Sequence, residues 1–282
     1  MYVTRVLFTV TPLQDLILPP FTSKVTRTAF TVLMGEPPAL GRMASFSVLF
    51  REGKPLYKRP GQHVLTASAG ENLEAQFSII SRENPRIPES AAEFTFGNAL
   101  LHARVEEVEI VRLEELSTPL PRKFVVHYLT PTLLPIPGRS PFLREAGIRR
   151  RYKLLPDLAL AMRLLTYDLK MRKIDLVPFT PFQVYKWTMR AVAELDYKVR
   201  PETVIYTVRD GKPSIERGFT GYVAYELLDA GSEMAKAFTK LIALAQYMGL
   251  GKSRSIGFGH IQVSPLAERP NPKKDLQQSP PG

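Results

Sequence analysis

The sequence has no cysteine among its 282 residues, and that single absence closes several kinds of chemistry. Disulfides, thiolate nucleophiles and cysteine-ligated zinc all need a sulfur that the chain does not carry. Histidine is nearly as scarce: His63, His102, His127 and His260 are the whole supply, and no spacing among them resembles a metal site. No apolar run reaches the roughly 18–20 residues that a bilayer-crossing helix needs. The opening residues, Met1-Tyr2-Val3-Thr4-Arg5-Val6, alternate like a strand and lack the basic-then-apolar layout of a secretory signal. A soluble cytoplasmic protein without metal or cofactor, and with no membrane partner, is the expectation.

What the chain has in excess is positive charge. Its formal net charge is +11, and the surplus is confined to one side of the sequence. Up to residue 121 there are 12 Lys and Arg against 13 Asp and Glu; beyond it there are 26 against 14. A basic field of this kind attracts polyanions and releases their counterions on binding. A solvated basic surface with no partner has the same composition. The run Arg144, Arg149, Arg150, Arg151 and Lys153 reads equally as a phosphate-contacting segment or as a solvated loop.

A chain of this length divides most naturally into two compact domains. Residues 3–11 alternate as a strand, Pro19-Pro20 break it, and Thr22 or Ser23 can cap a helix running through Ala29, Phe30 and Leu33 to Gly35. Strand patterns follow at Ser45–Leu49 and Leu73–Ile80, then a helix over Pro88–Leu101 and a strand over Ala103–Leu113. That order, β-α-β-β-α-β, is the ferredoxin-like pattern. After Thr118-Pro119-Leu120-Pro121, which reads as a linker, comes a strand at Phe124–Leu129 and helices near Leu158–Lys170 and Pro181–Leu195. A hairpin turning at Asp210-Gly211 joins strands at Val204–Val208 and Tyr222–Leu227. Ser232 caps a helix striped by Phe238, Leu241, Ile242, Ala245 and Met248, and a strand over Ile256–Val263 closes the half. The predicted class is α+β: two tandem ferredoxin-like (RRM-like) domains over 1–118 and 122–265, with a polar, Pro-rich tail at 266–282 expected to be disordered.

The sharpest motif is Gly249-Leu250-Gly251-Lys252-Ser253-Arg254-Ser255-Ile256-Gly257-Phe258-Gly259. Glycine admits positive φ and close backbone approach, so such a loop can turn several N–H groups toward one phosphate. A helix C-cap at Gly249 accounts for one glycine and leaves three. A nucleotide-binding P-loop is excluded, because its first glycine would fall at Gln246 and because this loop follows a helix and opens a strand.

Two glycine-hydrophobic-glycine pairs around a basic centre resemble the C-terminal signature of the Cas-six endoribonucleases of the RAMP superfamily. Pro12-Leu13-Gln14-Asp15-Leu16-Ile17-Leu18-Pro19, Ser23-Lys24-Val25, Thr130-Pro131-Thr132-Leu133-Leu134 and Gly218-Phe219-Thr220-Gly221-Tyr222 resemble segments of archaeal members, over about residues 3–264. The resemblance implies an antiviral, repeat-cleaving nuclease. Its RNA lies against the groove between the domains, and the ribose 2′-hydroxyl attacks the scissile phosphate without a metal. The products are a 2′,3′-cyclic phosphate and a 5′-hydroxyl. CRISPR repeat RNA is the implied partner; a CRISPR effector complex and a homodimer are further candidates. A non-catalytic RNA-binding subunit of an effector complex is the competing function, built on the same domains.

Many relatives carry a histidine on or just after the first helix, whereas here the first histidine is His63. The chain resembles instead an archaeal subset that uses a basic cluster, which carries over to Lys24, Arg27, Lys54, Arg217 and Arg254 as catalytic candidates. Lys24 and Arg27 fall one turn apart on one helix face. Arginines clamp and stabilise charge, while a lysine of lowered pKa can also exchange a proton. Gly249, Gly251, Lys252, Ser253, Ser255, Gly257, Gly259, Arg149, Arg150 and Arg151 are the implied RNA-binding residues; His260, directly after the loop, reads less as an RNA contact than as a structural residue. His63 reads as a solvated loop residue, His102 and His127 as strand residues, and Tyr185 and Trp187 as core.

Overall fold

The computed structural model describes residues 1–35, 43–82, 85, 87–117, 119–136 and 152–266. Its first half holds β1 (Tyr2–Pro12), β2 (Leu16–Ile17), α1 (Ser23–Met34), β3 (Met43–Phe46), β4 (Phe50–Arg51), β5 (Lys54–Pro55), β6 (Thr66–Ala67), β7 (Leu73–Ser81), β8 (Ala91–Phe96) and β9 (Ala99–Arg112). Alternation decides the packing. Val6, Phe8 and Val10 of β1 join Leu73, Ala75 and Phe77 of β7 on one sheet face, and Val25, Ala29, Phe30 and Leu33 of α1 cover them. Gly35 stops α1 in a left-handed conformation, φ 66°.

The expected helix over Pro88–Leu101 is not formed. Residues 91–96 and 99–112 are the two strands of a hairpin, turning at Gly97 with φ 61°. Ala92, Phe94 and Phe96 point inward at a period of two, and a helix would have scattered them around its circumference. The sheet runs β5-β4-β7-β1-β9-β8 with β3 also on β7, all antiparallel. Counting only β1, β3, β7 and β9, the spatial order is last, first, third, second.

The second half holds β10 (Lys123–Thr132), β11 (Leu134–Pro135), β12 (Tyr152–Lys153), α2 (Leu158–Met171), α3 (Pro181–Ala191), β13 (Val192–Arg209), β14 (Lys212–Leu227), α4 (Glu233–Met248), a single 3₁₀ turn (Arg254–Ile256) and β15 (Ile261–Pro265). Its sheet order, β13-β14-β10-β15, is again last, first, third, second, and here helices stand in both crossovers. Asp157, Thr180 and Ser232 cap α2, α3 and α4 with their side chains, and Thr180 with Gln183 closes a full capping box. The hairpin is far longer than its sequence pattern suggested. It turns at Asp210 and Gly211, both at positive φ, the signature of a tight two-residue turn. The last strand begins at Ile261 and not at Ile256, because the glycine loop occupies the residues between.

Strands dominate this mixed fold of two domains. The largest core cluster lies between the second sheet and α2, α3 and α4, and it also takes in Val3, Met43, Ile80, Leu113 and Leu116. A small third cluster of Phe21, Val48, Phe50, Tyr57, Leu133, Val204 and Phe258 fills the seam between the halves. No helix among the described residues is long and apolar enough to cross a membrane.

Candidate nucleic-acid interface

The loop after α4 owes three of its four glycines to close approach by the protein's own backbone and the fourth, Gly257, to side chains at the start of α1. Gly249, Gly251, Gly257 and Gly259 all have positive φ, between 72° and 98°. A Cβ at Gly251 would sit 2.5 Å from the Leu133 carbonyl oxygen, and one at Gly259 1.8 Å from that of Leu250. At Gly257 it would strike Ser23 at 2.7 Å and Phe21 at 2.8 Å. The expectation that these glycines aim N–H groups at a phosphate needs correction, since the close approaches are internal. Leu250 N–H donates to Gly259 at 2.8 Å, Lys252 N–H to Leu133 at 2.8 Å and Gly259 N–H to Pro131 at 3.1 Å. Lys252 and Ser255 remain on the exposed side, with Ser253 half-buried in a left-handed conformation, φ 65°.

The start of α1 is fastened to that loop. Phe21 stacks on Phe258 at 4.5 Å between ring centroids, and the Ser23 hydroxyl donates to the Ile256 carbonyl at 2.7 Å. Neither Thr22 nor Ser23 caps the helix, contrary to expectation. The Thr22 hydroxyl is taken by Leu56 and Leu49, accepting from the Leu49 N–H at 2.8 Å and donating to the Leu56 carbonyl at 2.6 Å. One residue on, the half-buried Lys24 reaches β13: its Nζ donates to Thr207 Oγ1 at 3.1 Å and lies 5.8 Å from the Tyr206 ring centroid.

The other basic candidates are dispersed around this point. Arg27 is exposed one turn along α1, over the Phe46 ring at 5.8 Å. Arg217 is exposed on β14 opposite Thr203, four residues along β13 from the Lys24 contact. Lys54 is exposed beyond the tight Glu52-Gly53 turn, paired in register with Arg51. Arg254 departs from the set. Its guanidinium is turned inward to Asp168 on α2 and to the Gly249 carbonyl at 3.5 Å, leaving the side chain 9% exposed. Burial lowers its pKa while the Asp168 charge opposes that shift. Arg144, Arg149, Arg150 and Arg151 lie outside the described residues.

A stitch that no sequence pattern announced holds the seam closed. Lys58 N–H donates to the Pro20 carbonyl at 2.7 Å, and the Lys58 carbonyl accepts from Ile205 N–H at 2.9 Å. Beside it the buried Glu202 pairs with Arg59 and, at 3.3 Å, with Arg200, and Thr220 donates to it at 3.4 Å. Burial, and then the Glu202 charge, push the Tyr57 phenol up to about 12. Asp168, too, would have been read as an ordinary solvent-facing residue of a helix.

The histidines stand apart from the cluster. His260 faces Gln76 at 3.4 Å and Phe50 at 5.8 Å, and burial, followed by the Arg5 charge, lowers its pKa to about 4. His127 meets Ser264 at 3.2 Å within the second sheet, and His63 is exposed in a loop. Among the described residues no group of three or more His, Cys, Asp or Glu could hold a metal ion.

Comparison with known proteins matches both halves to one family. Residues 4–111 match the model of the Cas6 N-terminal domain, and residues 126–261 that of the CRISPR-associated endoribonuclease Cas6. The chain is 24% identical to CRISPR-associated endoribonuclease Cas6 1 of Saccharolobus solfataricus, over 94% of this chain and 97% of that one. It is equally identical, at 24%, to Cas6 2 of the same organism, over 91% of this chain and 94% of the relative. Among solved structures, a Cas6 product complex superposes with a TM-score of 0.57 at 17% identity, covering 94% of this chain and all of the other. Matched in order by both domain models over most of its length, the chain belongs to the Cas6 family of CRISPR-associated endoribonucleases.

Proposed function

We propose that this protein cuts precursor CRISPR RNA within its repeats, by 2′-hydroxyl attack on the adjacent phosphate and without a metal. The observation that carries the reading is the seam where the first turn of α1, the loop after α4 and the β13–β14 hairpin meet, with Lys24 held between them. Relatives named as CRISPR-associated endoribonucleases along nearly their full length support the activity. In the step, the 2′-oxygen bonds to phosphorus as its proton leaves to a base, and the bond to the 5′-oxygen breaks as that oxygen gains a proton. Lys24 supplies charge to the pentavalent phosphorane, which is where a fixed donor has most effect. Arg27 and Arg217 clamp neighbouring phosphates, and Lys54 adds charge at the periphery. Lys252, Ser253 and Ser255 meet the RNA backbone on the open side of the loop, whose four glycines set its path. Arg254 acts by positioning that loop.

The shared strand order of the two halves supports a pair of ferredoxin-like domains over 1–118 and 122–265, the first without its second helix. The surplus of Lys and Arg after residue 121 supports repeat RNA as the partner. The test is a labelled repeat RNA incubated with pure protein in EDTA. Cleavage is expected to persist, and to vanish without loss of binding when the nucleotide upstream of the cut is 2′-deoxy. Cleavage of the deoxy substrate overturns the mechanism. RNA that is bound and left whole replaces the reading with that of a non-catalytic RNA-binding subunit.

A further inference from the structure

The α2–α3 pair turns large apolar side chains to solvent. Tyr167 is 52% exposed and Phe182 54%, and Met171 is more open still. Single exposed apolar residues are ordinary, but several on neighbouring turns mark a site of interaction. Their placement follows from helical spacing. The two helices pack side by side across the connection at residues 172–180, and Arg163 of α2 lies over the Tyr185 ring of α3 at 5.8 Å, which sets their register. One turn nearer the connection stand Tyr167, four residues on in α2, and Phe182, three residues back in α3. Met171 continues the stripe of Arg163 and Tyr167 by one more turn.

Charge gives the chemistry of the partner. From Leu158 to Ala191 there are six Lys and Arg against two Asp. Asp168 is committed to Arg254 and Asp175 to Lys170, so both carboxylates are answered from within the protein. The cations stand among the rings: Lys186, one turn along α3, holds its Nζ 4.6 Å from the Phe182 centroid, as Arg163 covers Tyr185. Exposed rings interleaved with cations suit unpaired nucleic acid, whose bases stack on the rings while its phosphates meet the charges. A protein partner favours an apolar centre with charge kept to the rim. A duplex holds its base faces inside the stack, where no ring can reach them.

The face is continuous with the loop after α4. Asp168, which holds Arg254 of that loop, is the sequence neighbour of Tyr167. It lies one turn before Arg172, whose charge is felt at Arg254. RNA that passes the exposed Lys252 and Ser255 therefore meets the C-terminal end of α2 next.

We propose that the exposed face of α2 and α3 is a platform for single-stranded RNA, with bases stacked on Tyr167 and Phe182 and phosphates on Lys186 and Arg163. Its ligand is the unpaired part of the transcript outside the segment held by the loop, and for the identity of that transcript the proposal rests on the proposed function. Stacking does not read sequence, so the platform adds affinity and sets the path of the strand without choosing the repeat. Losing one stack costs roughly 5- to 150-fold in affinity.

The test is filter binding of a repeat RNA, 2′-deoxy upstream of the cut, with and without about eight unpaired uridines at its 5′ end, its 3′ end or both. An extension is expected to tighten binding by roughly fivefold or more. Tyr167→Ala with Phe182→Ala should abolish that gain and leave the affinity for the bare repeat, its cleavage rate and the melting temperature unchanged. Phe182→Trp, which keeps a ring, should retain the gain. Lys186→Gln should lower by about one the salt slope that the extension adds. A 5-iodouridine within the extension should crosslink under ultraviolet light to Tyr167 or Phe182. An extension that adds no affinity, or a gain that survives the double variant, overturns the platform and leaves the proposed function standing. Extended RNA that binds through these two rings while the unmodified repeat stays whole upholds the platform and overturns the cleavage reading instead. A double variant that changes the sedimentation of the RNA-free protein and leaves the gain intact overturns the platform in favour of a protein contact.

Discussion

Arg254 gives a direct test of what the loop after α4 does. Its guanidinium is buried against Asp168, and the side chain is only 9% exposed, so the geometry assigns it to holding the loop on α2. Arg254→Met keeps most of the stem's volume and removes the charge. Asp168 is 44% exposed and can be hydrated again once alone. The loss should therefore fall below the ~3–5 kcal/mol of an orphaned, fully buried charge, nearer the ~1.5–3 kcal/mol of a charged hydrogen bond. At roughly 2–4 °C per kcal/mol, the melting temperature should drop by several degrees. Asp168→Asn should cost at least as much, although by exposure it is a surface change, because it leaves a buried guanidinium without its counter-charge. Thermal unfolding measures the first effect. Single-turnover cleavage of repeat RNA at saturating protein measures whether chemistry changes beyond it. If Arg254→Met leaves the melting temperature untouched while cleavage falls a hundredfold, the side chain works on the RNA and the positioning argument is refuted.

Lys24→Ala should do the reverse, slowing single-turnover cleavage by about 100- to 1,000-fold with RNA affinity and melting temperature nearly unchanged, as expected for loss of one electrostatic donor to the transition state. Equal losses in binding and rate would assign Lys24 to ground-state contact. Gly259→Ala places a Cβ 1.8 Å from the Leu250 carbonyl at a φ of 72°, so the loop must open; loss of RNA binding with a lower melting temperature is expected, read by filter binding and calorimetry. His260 should make stability depend on pH. With its folded pKa near 4 against 6.5 for the free side chain, the unfolded chain binds the extra proton between those values, so stability falls as pH drops from about 6.5 to 4, by up to about 3 kcal/mol. Urea unfolding of His260→Gln should lose that slope; an unchanged slope would place the titration elsewhere.

Local signals were legible in the sequence where the physics is local. Gly35 ending α1, Ser232 capping α4 and the Asp210-Gly211 turn each act within a few residues, and each stands where its pattern suggested. Pro88–Leu101 misled because alanines and phenylalanines at 91–96 suit either period, and only pairing with β9 selects the strand. Thr22 shows a subtler failure. It has the right residue type and position for a cap, yet the backbone of Leu49 and Leu56, just before β4 and just after β5, claims its hydroxyl. Within the candidate site, resemblance to relatives pointed to Lys24 and Arg254 as equals. Nothing in one dimension distinguishes a guanidinium aimed at solvent from one aimed at an aspartate 86 residues away. Glu202, Arg59 and Lys58 were invisible for the same reason, since their partners lie across the seam.

Val3, Met43, Ile80, Leu113 and Leu116 belong by chain to the first half and by burial to the core of the second. The peptide therefore has two repeats of one strand order but not two separable interiors. A fragment ending near residue 118 would carry these five apolar side chains into water, at a cost of about 1.5–3 kcal/mol for each large one. Among the described residues the first half has a single helix, α1, and at this end of its sheet the neighbouring half closes over the side chains that α1 leaves bare. The halves should consequently melt as one cooperative unit, and any motion that parts them to admit RNA must pivot about this shared interior rather than pull away from it.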